Sequence, residues 1–153
     1  MFKFQDLLKF KDTDVKKMAK NTVDRTKSQI ATGKDFQNKS FTQYNKAYAN
    51  NKKGGKRQPV NLRDTGKMLL AFDVQKTFVA KNSDIKFTYG IKKNKQGTKL
   101  FNHNEGQDGM PKRSIAENQE LGEKVENGIV DDFVKTFNRN LSRMSKTRVT
   151  INI

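Results

Sequence analysis

The chain contains no cysteine and no tryptophan, and only one histidine and two prolines in 153 residues. The absence of cysteine excludes disulfides, thiolate nucleophiles and every cysteine-based zinc site. With His103 as the single histidine, no His–His metal pair forms within one chain, and serine–histidine catalysis would have to run through that residue. Its setting, FNHNEG, places no partner beside it, and it reads as a polar loop histidine. No cofactor is indicated. Long apolar runs are also missing. Nothing approaches the roughly 20 residues of a membrane span, and the opening MFKFQDLLKFKD is too interrupted by charge for a signal peptide. The expectation is a protein without a membrane partner, made and kept in a cytosol-like compartment. Hydrophobic residues make up 33% of the chain and mean hydropathy is −0.94. So lean a core suggests that part of the chain is ordered by neighbours.

Acids are scarce too, 16 against 32 Lys and Arg, for a net charge of +16. Between Lys34 and Arg63 the only acid is Asp35, and from Val134 to Arg148 there is none beside Lys135, Arg139, Arg143, Lys146 and Arg148. Between Ala116 and Phe133 the balance inverts: Glu117, Glu120, Glu123, Glu126, Asp131 and Asp132 meet one base, Lys124. A basic body with one acidic helix can bind nucleic acid, and it can equally dock the basic face of one copy on the acidic face of the next. A merely solvated lysine-rich surface is the plainer alternative. The glutamates recur at three-residue steps and read as a solvated helix face, not a metal site.

Leu7, Leu8, Val15, Met18, Ala19, Thr22, Val23, Thr26 and Ile30 recur mostly at three- and four-residue steps with lysines between them. That spacing predicts an amphipathic helix to about Thr32, stopped by Gly33. The polar stretch that follows holds Phe36, Phe41, Tyr44 and Tyr48, the last three spaced for one face of a short helix. Such aromatics either stack bases or pin an arm to a surface. NLRDTGKMLLAF reads as a turn into a short helix capped by Asp64 or Thr65. Leu62 anchors the incoming chain, Gly66 allows tight approach of the first turn, and Met68, Leu69 and Phe72 enter the core. AFDVQKTFVA and DIKFTYGI predict an antiparallel hairpin with KNSD at its tip. The second strand alternates strictly through Ile85, Phe87, Tyr89 and Ile91. KKNKQGTK reads as a flexible basic loop and LFNHNEGQDGMPKRS as a glycine-rich connection. A second helix fits Glu117 to about Met144, with Leu121, Val125, Ile129, Val130, Phe133, Phe137 and Leu141 as its apolar stripe, weakened at Gly122 and Gly128. TRVTINI closes the chain as a strand.

Three pieces in order, FTQYNKAYANNK, VNLRDTGKMLLAF and LFNHNEGQDGMPKRSIAE, give the chain a family likeness. It resembles the Mu-like virion-morphogenesis, or tail-completion, family of tailed bacteriophages. That family shows a "YS..YA..K" segment, then "L..TG.ML.S", a β-hairpin, "A..HN.G", a "P.R.F" element and a C-terminal helix. The matches are Tyr44, Tyr48 and Lys52; Leu62, Thr65, Gly66, Met68 and Leu69; His103, Asn104 and Gly106; and Pro111 with Arg113. With the C-terminal helix they span roughly Phe41 to Leu141. Ile115 stands where the family has phenylalanine and Ala71 where it has serine, and the basic N-terminal helix lies outside the match.

The expected architecture is α+β: a long N-terminal helix, a small antiparallel β-sheet with a central hairpin, and a C-terminal helix packed on it. Residues 1–32 form a basic helix or arm, and 33–153 a single tail-completion-like domain. The resemblance implies a non-enzymatic subunit of a homo-oligomeric ring, six-fold by expectation, at the head–tail neck or tail end of a virion. It would assemble in the host cytoplasm, against a head-side connector or adaptor and a tail tube or tail terminator. Double-stranded DNA would pass through the ring. The basic residues Lys52, Lys53, Lys56 and Arg57, with Lys92, Lys93, Lys95 and Lys99, are the candidates for docking or for lining that channel. The alternative is a sequence-independent nucleic-acid-binding protein, although no helix-turn-helix, zinc finger or RNA-binding signature is present.

Overall fold

A computed structural model describes residues 9–44, 46–51, 60, 62, 66–79, 85–115 and 123–145. Several sequence expectations lie outside these residues: Leu7 and Leu8, the basic run 52–57, the caps at Asp64 and Thr65, the hairpin tip 81–84, the start of the second helix, and the terminal strand. The rest forms an α+β fold. Its elements are α1 (Asp12–Ala31), α2 (Lys46–Asn51), a 3-10 turn (Leu69–Ala71), β1 (Phe72–Val79), β2 (Ile85–Ile91), α3 (Lys95–Glu105) and α4 (Glu123–Ser145).

Helix α1 follows its periodicity. Val15, Met18, Ala19, Val23 and Ile30 are buried, as are Thr22 and Thr26. The threonine hydroxyls donate to the carbonyls of Met18 and Thr22 one turn back, at 2.9 and 3.0 Å, so their burial leaves no donor unmet. At the N-terminus the Lys11 amide donates to the Asp14 carboxylate at 3.2 Å, and Asp12 and Asp14 complement the positive end of the helix dipole. Gly33, at φ +80°, ends the helix.

The sequence left open whether α1 packs on its own domain or on a neighbour. It packs on its own hairpin. β1 and β2 pair antiparallel from Phe72↔Ile91 to Val79↔Ile85, with a bulge at Gln75 between Val74 and Lys76. The bulge accounts for the broken alternation of β1. Two apolar clusters result. Val23 and Ile30 of α1 join Phe41, Val60, Leu62, Leu69, Phe72, Leu100 and Ile115 in one. Phe10, Val15 and Met18 meet Ile85, Phe87 and Ile129 in the other. Burying side chains of this size contributes about 1.5–3 kcal/mol each.

Helix α4 lies mainly against α1 and reaches the hairpin's cluster through Ile129. Arg139 pairs with Asp14 at 2.8 Å, and Asp132 accepts from Arg25 at 2.7 Å and Asn21 at 3.1 Å. Phe10 stacks on Phe133 at 4.9 Å, and Asn140 donates to the Lys9 carbonyl. At this crossing a Cβ on Gly128 would stand 2.5 Å from Arg25 Nε, so any larger residue there makes the Arg25 side chain shift.

Five expectations are corrected. The segment KKNKQGTKLFNHNE is not a loop with a glycine-rich connection: α3 occupies Lys95–Glu105. Asn94 caps it by accepting from the Gln96 and Gly97 amides at 3.1 and 2.9 Å, and Gly106 closes it at φ +71°. The short helix after Gly66 is a single 3-10 turn with Met68 as its N-terminal flanking residue, cut short because β1 begins at Phe72. Gly66 makes no tight approach. A Cβ there would meet nothing within 4 Å, and its φ of +75° is the reason for glycine. Finally, the stripe of α4 is split. Val125 is buried, while Val130, Phe133 and Leu141 are exposed, since among the described elements α1 is the main surface against this helix. Phe41 and Tyr44 also precede α2 and do not lie on it.

Candidate functional site

Several of the residues that carry the sequence likeness lie on two segments that meet. α3 brings His103 and Asn104, and the chain after its Gly106 cap doubles back along the helix. The Arg113 amide donates to the His103 carbonyl at 2.7 Å, and the Ile115 amide to Asn104 Oδ1 at 2.7 Å. The return is tight. A Cβ on Gly106 would lie 2.9 Å from the Cβ of Lys112, so glycine is required for space as well as for its left-handed backbone.

Arg113 is the centre of this node and is 2% exposed. Its Nε and Nη2 both donate to the Thr42 carbonyl, at 3.2 and 3.1 Å, and its Nη1 lies 3.0 Å from His103 Nδ1. The guanidinium sits 5.0 Å from the ring centroid of Tyr44, within cation–π range. A guanidinium only donates, so His103 Nδ1 is the acceptor and the ring proton is on Nε2. Burial, helped by the Arg113 charge, lowers the His103 pKa to about 4. The imidazole is neutral at pH 7. It is therefore not the polar loop histidine the sequence indicated: it is half-buried on α3 and orients Arg113. Thr42 was not singled out beforehand, since a backbone carbonyl leaves no mark in a sequence.

A pH dependence follows. Between pH 6.5 and 4 the unfolded chain binds a proton at His103 that the folded chain refuses. This contribution to stability is therefore complete above about pH 6.5 and is lost as the pH falls toward 4. The full displacement from 6.5 to about 4 corresponds to roughly 3 kcal/mol, and solvent reaching the open side of the ring reduces the expected loss to about 1–2 kcal/mol. Urea melts at pH 7 and 4.5 measure it. His103→Asn, which keeps an acceptor but does not titrate, is expected to lose the slope. An unchanged slope would place the titration elsewhere. The aspartates act lower on the scale. Burial pushes Asp14 and Asp132 up, but hydrogen bonds and charge, from Arg139 and Arg25 above all, bring both below the usual carboxylate value.

Other motif residues serve the core. Leu62 is 3% exposed at φ +52°, Leu69 is buried, and Met68 packs against the same cluster. Pro111 is exposed on the return segment. Thr65 lies outside the described residues. Among the proposed docking residues, Lys52, Lys53, Lys56 and Arg57 also lie outside them. Lys92, Lys93, Lys95 and Lys99 are exposed at the β2–α3 junction and on α3. Lys92 is bound to Asp73 at 2.6 Å, and the hydrogen bond from Lys92 is the first cause of the lowered Asp73 pKa. A second basic surface, a groove between α1 and β1, is lined by Lys16, Lys20, Lys27 and Lys76 with Asp24 and Asp73. Among the described residues no group of three or more acidic or histidine side chains is placed to hold a metal ion, and no helix is long and apolar enough to cross a membrane.

No family model, no curated protein and no solved structure matches this chain.

Proposed function

We propose that this protein is a structural virion subunit of a tailed bacteriophage. It forms a ring, six-fold by expectation, at the head–tail neck or tail end, where it completes the tail or joins it to the head. The observation that supports this most is the convergence of Tyr44, His103, Asn104, Gly106 and Arg113, residues of separate motif segments, on one buried node. In that node Arg113 donates to Thr42 and His103, and Asn104 accepts from the Ile115 backbone. That is the bonding of a weld between segments, not of a reactive centre, and the reading is of a subunit without catalysis. Its neighbours would be further copies, a head-side connector or adaptor, and a tail tube or tail terminator, with double-stranded DNA passing inside.

The exposed lysines of α3 fit a docking role. A cation in the first helical turn opposes the dipole, so Lys95 does not serve the helix that bears it. The test is to locate and count the chain in purified particles by quantitative mass spectrometry and low-resolution imaging. A ring of copies at the neck or tail end is expected. A single copy, or a chain found only outside particles, overturns the reading.

The lysine-lined groove between α1 and β1 favours a second reading, sequence-independent nucleic-acid binding. A chain that stays small in solution, binds duplex DNA and loses it steeply with salt would establish that one instead.

A further inference from the structure

Helix α1 carries a second stripe beside its buried one. Lys16, Lys20 and Lys27 follow one another at steps of four and seven. That spacing sets them within about 40° of each other around the helix and spreads them over about 16 Å of its length. Lys16 and Lys20 are exposed and Lys27 partly so. All three line the groove between α1 and β1, whose other wall is formed by residues 73–77 and includes Lys76. The arginines at the α1–α4 contact are engaged internally, Arg25 with Asp132 and Arg139 with Asp14. Among the described residues the four groove lysines form no ion pair. Like charges one turn apart, as at Lys16 and Lys20, weaken a helix, so the stripe does not serve the helix that bears it. Of the two acids in the groove, Asp73 is bound to Lys92 at 2.6 Å, which leaves Asp24 as the one uncommitted carboxylate among the lining residues. A concave surface with an excess of one charge focuses its field on a ligand of the other sign.

We propose that this groove holds the phosphate backbone of double-stranded DNA, with Lys16, Lys20 and Lys27 as its phosphate contacts. The inference rests on the DNA contact contained in both readings above, and it assigns that contact to α1 and not to the lysines of the β2–α3 junction. The chemistry of the lining selects the ligand. Apart from its charges the groove presents Val23, Val74, Gln75 and Thr77, with no aromatic ring on which an unpaired base could stack. Nor does an arginine line it to grip a base edge with two hydrogen bonds. What remains is attraction between ammonium groups and phosphates, which positions a nucleic acid without reading its sequence. A duplex carries one charge per roughly 1.7 Å of axis, and so about ten phosphates along a stripe of this length. An extended acidic peptide offers one charge per roughly 3.3 Å at best, about half that density.

The test uses the full chain and reads fluorescence anisotropy of a short labelled duplex of arbitrary sequence across a salt series. Lys16→Gln with Lys20→Gln and Lys27→Gln should lower the affinity about a hundredfold at low salt and reduce the slope of log K on log salt by about 3. Lys95→Gln with Lys99→Gln removes charge outside the groove and should leave the slope nearly as it is. Asp24→Asn should tighten binding several-fold, a gain that no loss of folding can imitate. A single strand of the same length should bind more weakly than the duplex, and polyglutamate should compete poorly. A triple variant that binds like the parent overturns the proposal, and so does an Asp24→Asn variant that gains nothing. Polyglutamate or a single strand that binds as well as the duplex overturns the choice of ligand. If the α3 pair abolishes the slope instead, DNA contact stands and its assignment to α1 falls. If the parent binds no duplex the proposal fails outright, while the location and copy number in particles still decide the virion reading on their own.

Discussion

Replacing Gly97 with alanine is expected to destabilise the protein by about 3 kcal/mol, although alanine is ordinarily favoured over glycine inside a helix by about 1 kcal/mol. The reversal comes from space. Gly97 is buried in the first turn of α3, and a Cβ there would stand 1.8 Å from the Lys92 carbonyl oxygen and 3.0 Å from Ile91 Cγ2. The obstacle is backbone, so no rotamer change relieves it. That backbone is also held: the Lys92 amide donates to Ala71 at 2.7 Å and the Lys92 carbonyl accepts from Asn94 at 2.9 Å. Moving it disturbs the junction between the 3-10 turn, β2 and α3 together. Gly109→Ala is the control. Gly109 has φ +69° and nothing within 4 Å of a Cβ, so only backbone strain is added, about 1 kcal/mol. Urea denaturation midpoints compare the two. Equal losses would mean that α3 does not start against the end of β2.

Gly97 also explains why α3 was not legible in the sequence. The helix buries only Leu100 and Gly97, so it lacks the apolar repeat that marks a helix, and its glycine and asparagines read as turn residues. The signals present were at its ends, an asparagine cap at Asn94 and a glycine stop at Gly106. α1 was legible because its core contacts recur along the whole helix. The hairpin was legible because Ile85, Phe87, Tyr89 and Ile91 turn one face inward, the first two to one apolar cluster and the last two to the other. On α4 the periodicity gave the helix but not the division of its apolar residues. Periodicity says which residues share a face, and it is silent on whether anything covers that face. The candidate node was half legible. The motif likeness put His103, Asn104 and Arg113 on the same short list, while the attachment of Arg113 to the Thr42 carbonyl and to His103 exists only in three dimensions.

Removing the Arg113 guanidinium should be the most damaging polar change at this node. In Arg113→Met the side-chain volume is roughly kept, but the Thr42 carbonyl and the half-buried His103 Nδ1 lose their donors from a buried side chain. An unmet buried acceptor costs about 1–3 kcal/mol, and relief from burying a charge returns part of it. A net loss of about 2–4 kcal/mol is expected. Arg113→Lys should recover little. An ammonium is more strongly hydrated and lacks the planar fork that serves Thr42 twice while reaching His103. A double-mutant cycle with His103→Ala separates a local weld from a general loss of packing. Contacting residues in one network give coupling energies of about 0.5–3 kcal/mol, and a coupling near zero would refute the shared node. The pH dependence adds an independent check. Burial is the larger cause of the low His103 pKa and the Arg113 charge the smaller, so Arg113→Met should raise that pKa without bringing it back to 6.5. The acid-side loss of stability should shrink but persist. If it vanishes, the charge and not burial keeps His103 neutral. If it is unchanged, the guanidinium does not face the ring as its 3.0 Å approach to Nδ1 requires.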